Sequence, residues 1–239
     1  MNKKKLKKWT KNTKDVFFKK KMGTSYPPSY PNEMLVKFSS SKYYSNLNSI
    51  FFEKKKLDIC EVGFFAGNNL RFFYDIGHNI HGVDVTKSII NVCKKNLLRL
   101  GYNAKNFKLK VGHNFLIPFK KKFDLIYSIN TLHYCVEKDV ERAIKYQKNK
   151  LTKRGILVVE TVAPGHEVFG YSKKIKKLKY IFKNNEDFRN RQHFGFFDNK
   201  KHAYKVFNKF FKKVEIFTRR ESYIENKNFN FYQIICSNY

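Results

Sequence analysis

The chain has 239 residues, 42% of them hydrophobic and 17% aromatic, which is ample for one large apolar core and excludes a disordered or fibrous class. Lysine and arginine number 50 against 19 acids, a formal net charge of +31 that favours anionic partners such as nucleic acid or an anionic membrane surface. Most of these cations are lysine, and lysine, asparagine, phenylalanine, tyrosine and isoleucine share AT-rich codons, so a compositional origin of the charge stands beside a selected one.

Residues 1–22 carry ten lysines and one acid, Asp15, and read as a basic N-terminal arm. Pro27, Pro28 and Pro31 break any helix there. Short helical patterns follow at 32–38 and 41–52, and residues 1–52 together read as an arm with cap helices. A domain spanning 53–239 then begins with alternating elements. Strands are predicted at 57–62, 80–85, 107–111, 123–129 and 156–162, with helices at 67–76, 86–100 and 137–150 whose apolar residues recur at three-and-four spacing. Residues 163–198 lack a clean period, are too long for a bare loop, and are expected to form short helices in an insert that covers a binding site. A helix at 199–211 and strands at 213–218 and 229–235 close the pattern, the last two joined as a hairpin. The alternation predicts a doubly wound α/β fold: a seven-stranded, mostly parallel sheet with its last strand antiparallel, covered on both faces.

The four cysteines, Cys60, Cys93, Cys135 and Cys236, form no CxxC pair and read as buried thiols of a reducing cytoplasm, with no metal site. No apolar run approaches the roughly 18 residues needed to cross a bilayer. No apolar signal core follows Met1-Asn2-Lys3-Lys4-Lys5, so the expected location is cytoplasmic, with weak contact to anionic membrane or nucleic acid allowed by the charge.

Glu61-x-Gly63-x-x-x-Gly67 lies between an apolar strand and a helical pattern, the setting of a ligand-binding glycine turn. Gly63 permits the sharp bend and Gly67 a close approach of ligand to backbone. The acid at Glu61 disfavours a diphosphate and suits a ligand with an amine or cationic centre. Asp84 follows Gly63 by 21 residues, the spacing at which a carboxylate receives both hydroxyls of a ribose; it and Thr86 also precede a helix, where either could cap.

These segments resemble those of class I S-adenosylmethionine-dependent methyltransferases. Glu61-Val62-Gly63-Phe64-Phe65-Ala66-Gly67 is similar to the family's first motif and Gly82-Val83-Asp84-Val85-Thr86 to its second. Gly112-His113-Asn114-Phe115-Leu116-Ile117-Pro118-Phe119 is similar to the segment beside the adenine, and Phe123-Asp124-Leu125-Ile126-Tyr127-Ser128 to the fourth strand, with Leu132-His133-Tyr134 beyond it. The resemblance spans about residues 30–235. It implies the family's seven-stranded sheet, S-adenosyl-L-methionine as cofactor, and a cofactor site drawn from Glu61, Gly63, Phe65, Gly67, Asp84, Val85, His113, Asn114, Phe115 and Ile129. Phe65 stands where the family usually has its middle glycine. His113 stands where an acid often receives the adenine amine, a role an unprotonated ring nitrogen or stacking can fill.

Methyl transfer needs alignment of acceptor and donor, and for a hydroxyl acceptor a general base. The candidates are His133 beyond the fourth strand, His166 after the fifth, and His193 in the insert. No Asn/Asp-Pro-Pro-Tyr/Phe segment or Pro-Cys nucleophile is present, and no separate RNA-binding module is visible, so the expected acceptor is a small molecule, sugar or lipid, methylated at oxygen or nitrogen. The alternatives are an RNA methyltransferase or a non-catalytic RNA-binding protein of the same fold; a nicotinamide-dinucleotide enzyme would prefer Gly-x-Gly-x-x-Gly and no acid at Glu61.

Overall fold

A computed structural model describes residues 30–239 except 188, 225 and 226, and leaves aside the side chains of 222–224 and 227. The basic arm expected at 1–22 lies outside the described residues. The order of elements is α1 (Glu33–Ser40), α2 (Ile50–Glu53), β1 (Asp58–Val62), α3 (Asn68–Asp75), β2 (Asn79–Asp84), α4 (Lys87–Arg99), β3 (Lys108–Val111), β4 (Phe123–Ile129), α5 (Lys138–Asn149), β5 (Leu151–Val162), α6 (Glu167–Gly170), β6 (Ser172–Lys176), β7 (Lys179–Phe182), β8 (His193–Phe194), α7 (Lys200–Phe207), β9 (Lys213–Ile224) and β10 (Lys227–Ser237).

Seven strands form one sheet in the order β3-β2-β1-β4-β5-β10-β9. The first four pairings are parallel, and β10 runs antiparallel to both of its neighbours. The predicted doubly wound sheet with its antiparallel closing strand is therefore the observed fold. Period two along the central strands explains the two cores. Ile59, Leu125, Tyr127, Ile156 and Val158 face Met34, Leu35 and Phe38 of α1, Leu70 and Phe73 of α3, and Ile89, Cys93 and Leu97 of α4. Cys60, Val62, Ile126, Leu157 and Val159 face Val140, Ala143 and Ile144 of α5 and Ala203, Val206 and Phe207 of α7. Residues 30–53 thus pack on the same apolar layer as α3 and α4.

Two expectations change. Of the predicted 41–52 helix only 50–52 is helical, within the short α2 (Ile50–Glu53), because polar side chains take over the local backbone groups. Asn48 Nδ2 donates to Phe38 O (2.8 Å) and Ser41 O (2.7 Å), and Leu47 N donates to Ser45 Oγ (3.0 Å). The 163–198 insert holds one short helix, α6, and a three-stranded antiparallel sheet β6-β7-β8 rather than a set of helices. Val162, Val168, Tyr180, Phe182, Phe194 and Phe196 form its own apolar core. All four cysteines are free and buried. No helix among the described residues is long and apolar enough to cross a membrane.

Candidate functional site

The parallel strands deliver the carboxyl ends of β1, β2 and β4 to one edge, where a doubly wound sheet opens its crevice. A cavity of about 300 Å³ lies there, walled by Gly63 and Phe65 after β1, Asp84 and Val85 at the end of β2, His113 and Asn114 after β3, and Ile129, Asn130 and Thr131 at the end of β4.

The β1–α3 turn is shaped by two left-handed glycines, Gly63 (φ 81°) and Gly67 (φ 86°). A Cβ at Gly63 would strike the Thr131 side chain, and one at Gly67 would meet Cys93 Sγ at 2.6 Å. The turn therefore needs glycine for space as well as for its dihedrals. Phe65 also lies at positive φ (44°), a conformation that costs a bulky residue roughly 1–2 kcal/mol. Its N–H donates to Asp84 Oδ2 (3.0 Å), which holds the turn against the end of β2.

Asp84 is buried and accepts from Val85 N (2.7 Å) as well, so one backbone donor occupies each carboxylate oxygen and a lone pair on each remains. Burial raises its pKa to about 6 against the pull of these two hydrogen bonds. The helix cap is Thr86, whose hydroxyl accepts from Ile89 N (3.2 Å), and this leaves Asp84 to the cavity.

Glu61 lies beneath the turn, 2% exposed, with Oε1 accepting from Asn69 Nδ2 (2.8 Å) and Oε2 from the Tyr127 hydroxyl (3.0 Å). Burial lifts its pKa to about 8, and the nearby Asp84 adds to the rise. Asp84 lines the crevice and Glu61 is enclosed beneath it, so a cationic group brought near the pair would favour their ionised forms.

On the far wall, burial first and Arg142 second lower His113 to about 4, so its ring is neutral. Nδ1 accepts from Phe115 N at a long 3.4 Å, which places the ring proton on Nε2. In that tautomer Nε2–H is a donor, and the ring face stays available for stacking, one of the two roles expected from sequence. Asn114 is used structurally: Nδ2 donates to Thr131 O (3.3 Å) and Oδ1 accepts from Gln147 Nε2 (3.1 Å). Phe115 packs on the α5 side with the Arg142 guanidinium 4.5 Å from its ring centre, away from the cavity wall.

Val62, Ile89, Gly112, Asn130, Thr131 and Tyr134 line the cavity without having been expected. Asn130 is the most informative. It sits at φ 53°, donates its N–H to Glu160 O (2.8 Å), and leaves Oδ1 buried with no partner among the described residues. Its position after the last residue of β4 was the available signal.

The three histidines are placed differently. His133 is buried against Tyr134, Phe194 and Phe196, with ring centroids 4.6, 5.7 and 6.2 Å away. Burial, then the charges of His166 and Arg189, lower its pKa to about 3. His166 caps α6, with Nδ1 accepting from Val168 N (3.0 Å), and lies edge-on to Phe229 and Phe231; burial lowers it to about 4. His193 is exposed on β8, paired in register with Ile181. Among the described residues no cluster of His, Cys, Asp and Glu could hold a metal ion.

Asp84 presents unused lone pairs to the cavity, a set of acceptors that fits neutral ribose hydroxyls, and Gly63 and Phe65 bring backbone to its wall. Glu61 and Gly67, also expected from sequence, are not among the lining residues. Residues 60–159 match the sequence family described as a methyltransferase domain. An uncharacterized methyltransferase of Staphylococcus carnosus is 26% identical over 133 residues, 55% of this chain and 57% of that protein, so the matched stretch is a little over half of the relative's length. In overall fold the chain is similar to an S-adenosylmethionine-dependent methyltransferase of Clostridium acetobutylicum, at a TM-score of 0.55 and 12% identity over 77% of this chain and 85% of the other. A SAM-dependent methyltransferase of Methanosarcina mazei superposes at a TM-score of 0.60 and 16% identity, covering 76% of this chain and 92% of its own.

Proposed function

We propose that this chain, whose residues 60–159 match a methyltransferase domain and whose fold is that of S-adenosylmethionine-dependent methyltransferases, moves a methyl group from S-adenosylmethionine to a small-molecule, sugar or lipid acceptor at oxygen or nitrogen. The observation that carries this reading is the Asp84 carboxylate, fixed by Phe65 N and Val85 N at the mouth of the glycine turn with lone pairs left over. Asp84 holds the ribose, Glu61 attracts the amine of the methionine arm, and Val85 and Ile129 cover the adenine. His113 Nε2–H donates to a ring nitrogen of the base. Bound S-adenosylmethionine supplies a methyl carbon already activated by its sulfonium, so the protein's share is alignment and exclusion of water.

The insert supports a compact acceptor. Its aromatic core brings Phe194 and Phe196 against His133 and Tyr134, beside the end of β4. His133 and His166 are neutral throughout the physiological range and too weakly basic to take a proton efficiently near pH 7. They orient rather than deprotonate, which favours an acceptor nitrogen, or a hydroxyl that is acidic by itself.

Calorimetry with S-adenosylmethionine, S-adenosylhomocysteine and NAD tests the cofactor reading. The first two are expected to bind and NAD is not. Asp84→Ala is expected to weaken S-adenosylhomocysteine about 100-fold by removing two charge-assisted hydrogen bonds. No binding of either sulfur ligand by the unmodified protein would sink the proposal. Labelled-methyl transfer into a fractionated cell extract then finds the acceptor.

A further inference from the structure

Two buried carboxylates stand at the carboxyl edge of the sheet, Glu61 on β1 and Glu160 on β5. A continuous run of hydrogen bonds joins them, and Asn32 is its centre. The Asn32 backbone N–H donates to Asn69 Oδ1 (2.8 Å), and Asn69 Nδ2 donates to Glu61 Oε1 (2.8 Å). The Asn32 side-chain Nδ2 donates to Glu160 Oε1 (2.9 Å), while its Oδ1 caps α1 by accepting from Met34 N (3.0 Å).

The far end of the run is anchored as firmly. Glu160 also accepts from Arg219 Nη2 (3.0 Å) and Nε (3.2 Å) on β9 and from Gln233 Nε2 (3.0 Å) on β10. Gln233 in turn accepts from the Tyr44 hydroxyl (2.8 Å). Residues 30–32 therefore cross the start of α3, where Asn68 Nδ2 also reaches Tyr30 O at 3.4 Å.

A helix cap alone does not explain Asn32. Serine, threonine or aspartate would cap α1 as well, but serine and threonine are too short to bridge to Glu160, and aspartate would set a second negative charge against it. Of these residues, asparagine alone combines an acceptor for the cap with a donor long enough to reach the carboxylate.

We propose that Asn32 is a positioning residue for the amino-acid arm of the methyl donor, fixing the Glu61 carboxylate through Asn69 and tying it through Glu160 to the closing strands β9 and β10. This rests on the S-adenosylmethionine reading of the cavity. The groups facing Glu61 are Asn69 from α3, Tyr127 from β4, Asp84 from β2, and Cys60 and Cys93. Of these, Asn69 and Tyr127 donate to it and favour its ionised form, the form an amine requires.

The test compares S-adenosylhomocysteine with 5′-methylthioadenosine, which has the same nucleoside and sulfur but no amino-acid arm. Calorimetry is run on the full chain at pH 7 and pH 9. Asn32→Ser keeps a cap and loses the bridge to Glu160. It is expected to weaken S-adenosylhomocysteine about fivefold, one hydrogen bond's worth, while methylthioadenosine stays within about twofold. Asn69→Ala is expected to act in the same sense, more strongly, and to recover more of its loss at pH 9. Equal losses for both ligands, or no loss for either, would overturn the proposal and leave Asn32 a helix cap. Unmodified protein that binds neither ligand would instead overturn the cofactor reading beneath it.

Discussion

At the scale of single residues, burial decides which ionisable groups can act. His133 has a nitrogen, Nδ1, buried without a partner among the described residues, yet its pKa of about 3 keeps it neutral in any ordinary assay. On the proposed function, Nδ1 is a hydrogen-bond acceptor for the methyl acceptor once that molecule reaches it, and not a base tuned near neutrality. His133→Phe keeps the packing against Tyr134, Phe194 and Phe196 and removes both nitrogens. Methyl transfer is expected to fall roughly tenfold at every pH, the value of one hydrogen bond to a buried site, with the shape of the kcat profile unchanged. Loss of a limb near pH 6.5 in that variant would show that His133 does titrate in catalysis. Asp84 and Glu61 behave oppositely: desolvation makes each more basic than an exposed carboxylate, and a cationic, hydroxyl-bearing ligand offsets that desolvation.

At the scale of elements, the β1–α3 turn shows how much of the site was legible. Strand, glycines and helix followed one another in the sequence at a recognisable spacing, and Asp84 followed at the distance set by one helix and one strand. The turn's dependence on Thr131 was not legible, because that residue comes 68 positions later in the chain and meets Gly63 only through the β1–β4 pairing. Gly63→Ala is expected to destabilise the apo protein by about 1–3 kcal/mol, from the left-handed backbone and the collision with Thr131 together. Thermal melting checks this, and an unchanged melting temperature would show that Thr131 moves aside freely. The insert was misread for a related reason. Ser172-Lys173-Lys174-Ile175-Lys176 lacks alternation because β6 is an edge strand with most of its side chains in water, and lysines on an edge discourage pairing with other chains. The β-forming Tyr180-Ile181-Phe182 was the signal available. The bridge from Asn32 to Glu160 left no trace in sequence, since a hydrogen bond between residues 128 positions apart has no period.

At the scale of the whole molecule, the shifted groups make opposing demands on stability. Glu61 and Asp84, at about 8 and about 6, hold protons in the folded chain at pH values where unfolded carboxylates are ionised, so their contribution is present at low pH and lost as pH rises through those values. His133, His113 and His166, at about 3, 4 and 4, stay neutral when folded but take protons when unfolded below about 6.5, so stability is lost as pH falls from there. The apo melting temperature is expected to peak near pH 6 to 6.5 and decline on both sides. If S-adenosylhomocysteine binds through ionised Glu61 and Asp84, as proposed, it should raise the melting temperature more at pH 8.5 than at pH 6. A melting temperature that climbs steadily from pH 6 to pH 9 without ligand would contradict this balance.

The same Glu160 that steadies Asn32 sets an order of events during synthesis. When β5 has left the ribosome, its carboxylate already stands at a position that the finished fold deprives of water, yet its counter-ion, Arg219, and the strand that closes its open edge, β10, have still to be made. Until β9 and β10 dock, Glu160 must remain hydrated and β5 must remain a strand without an outer neighbour, and Asn32 has no settled acceptor. The nascent chain can therefore bring the ends of β1, β2 and β4 together before the closing hairpin supplies the partners that fix Glu160 and, through it, Asn32.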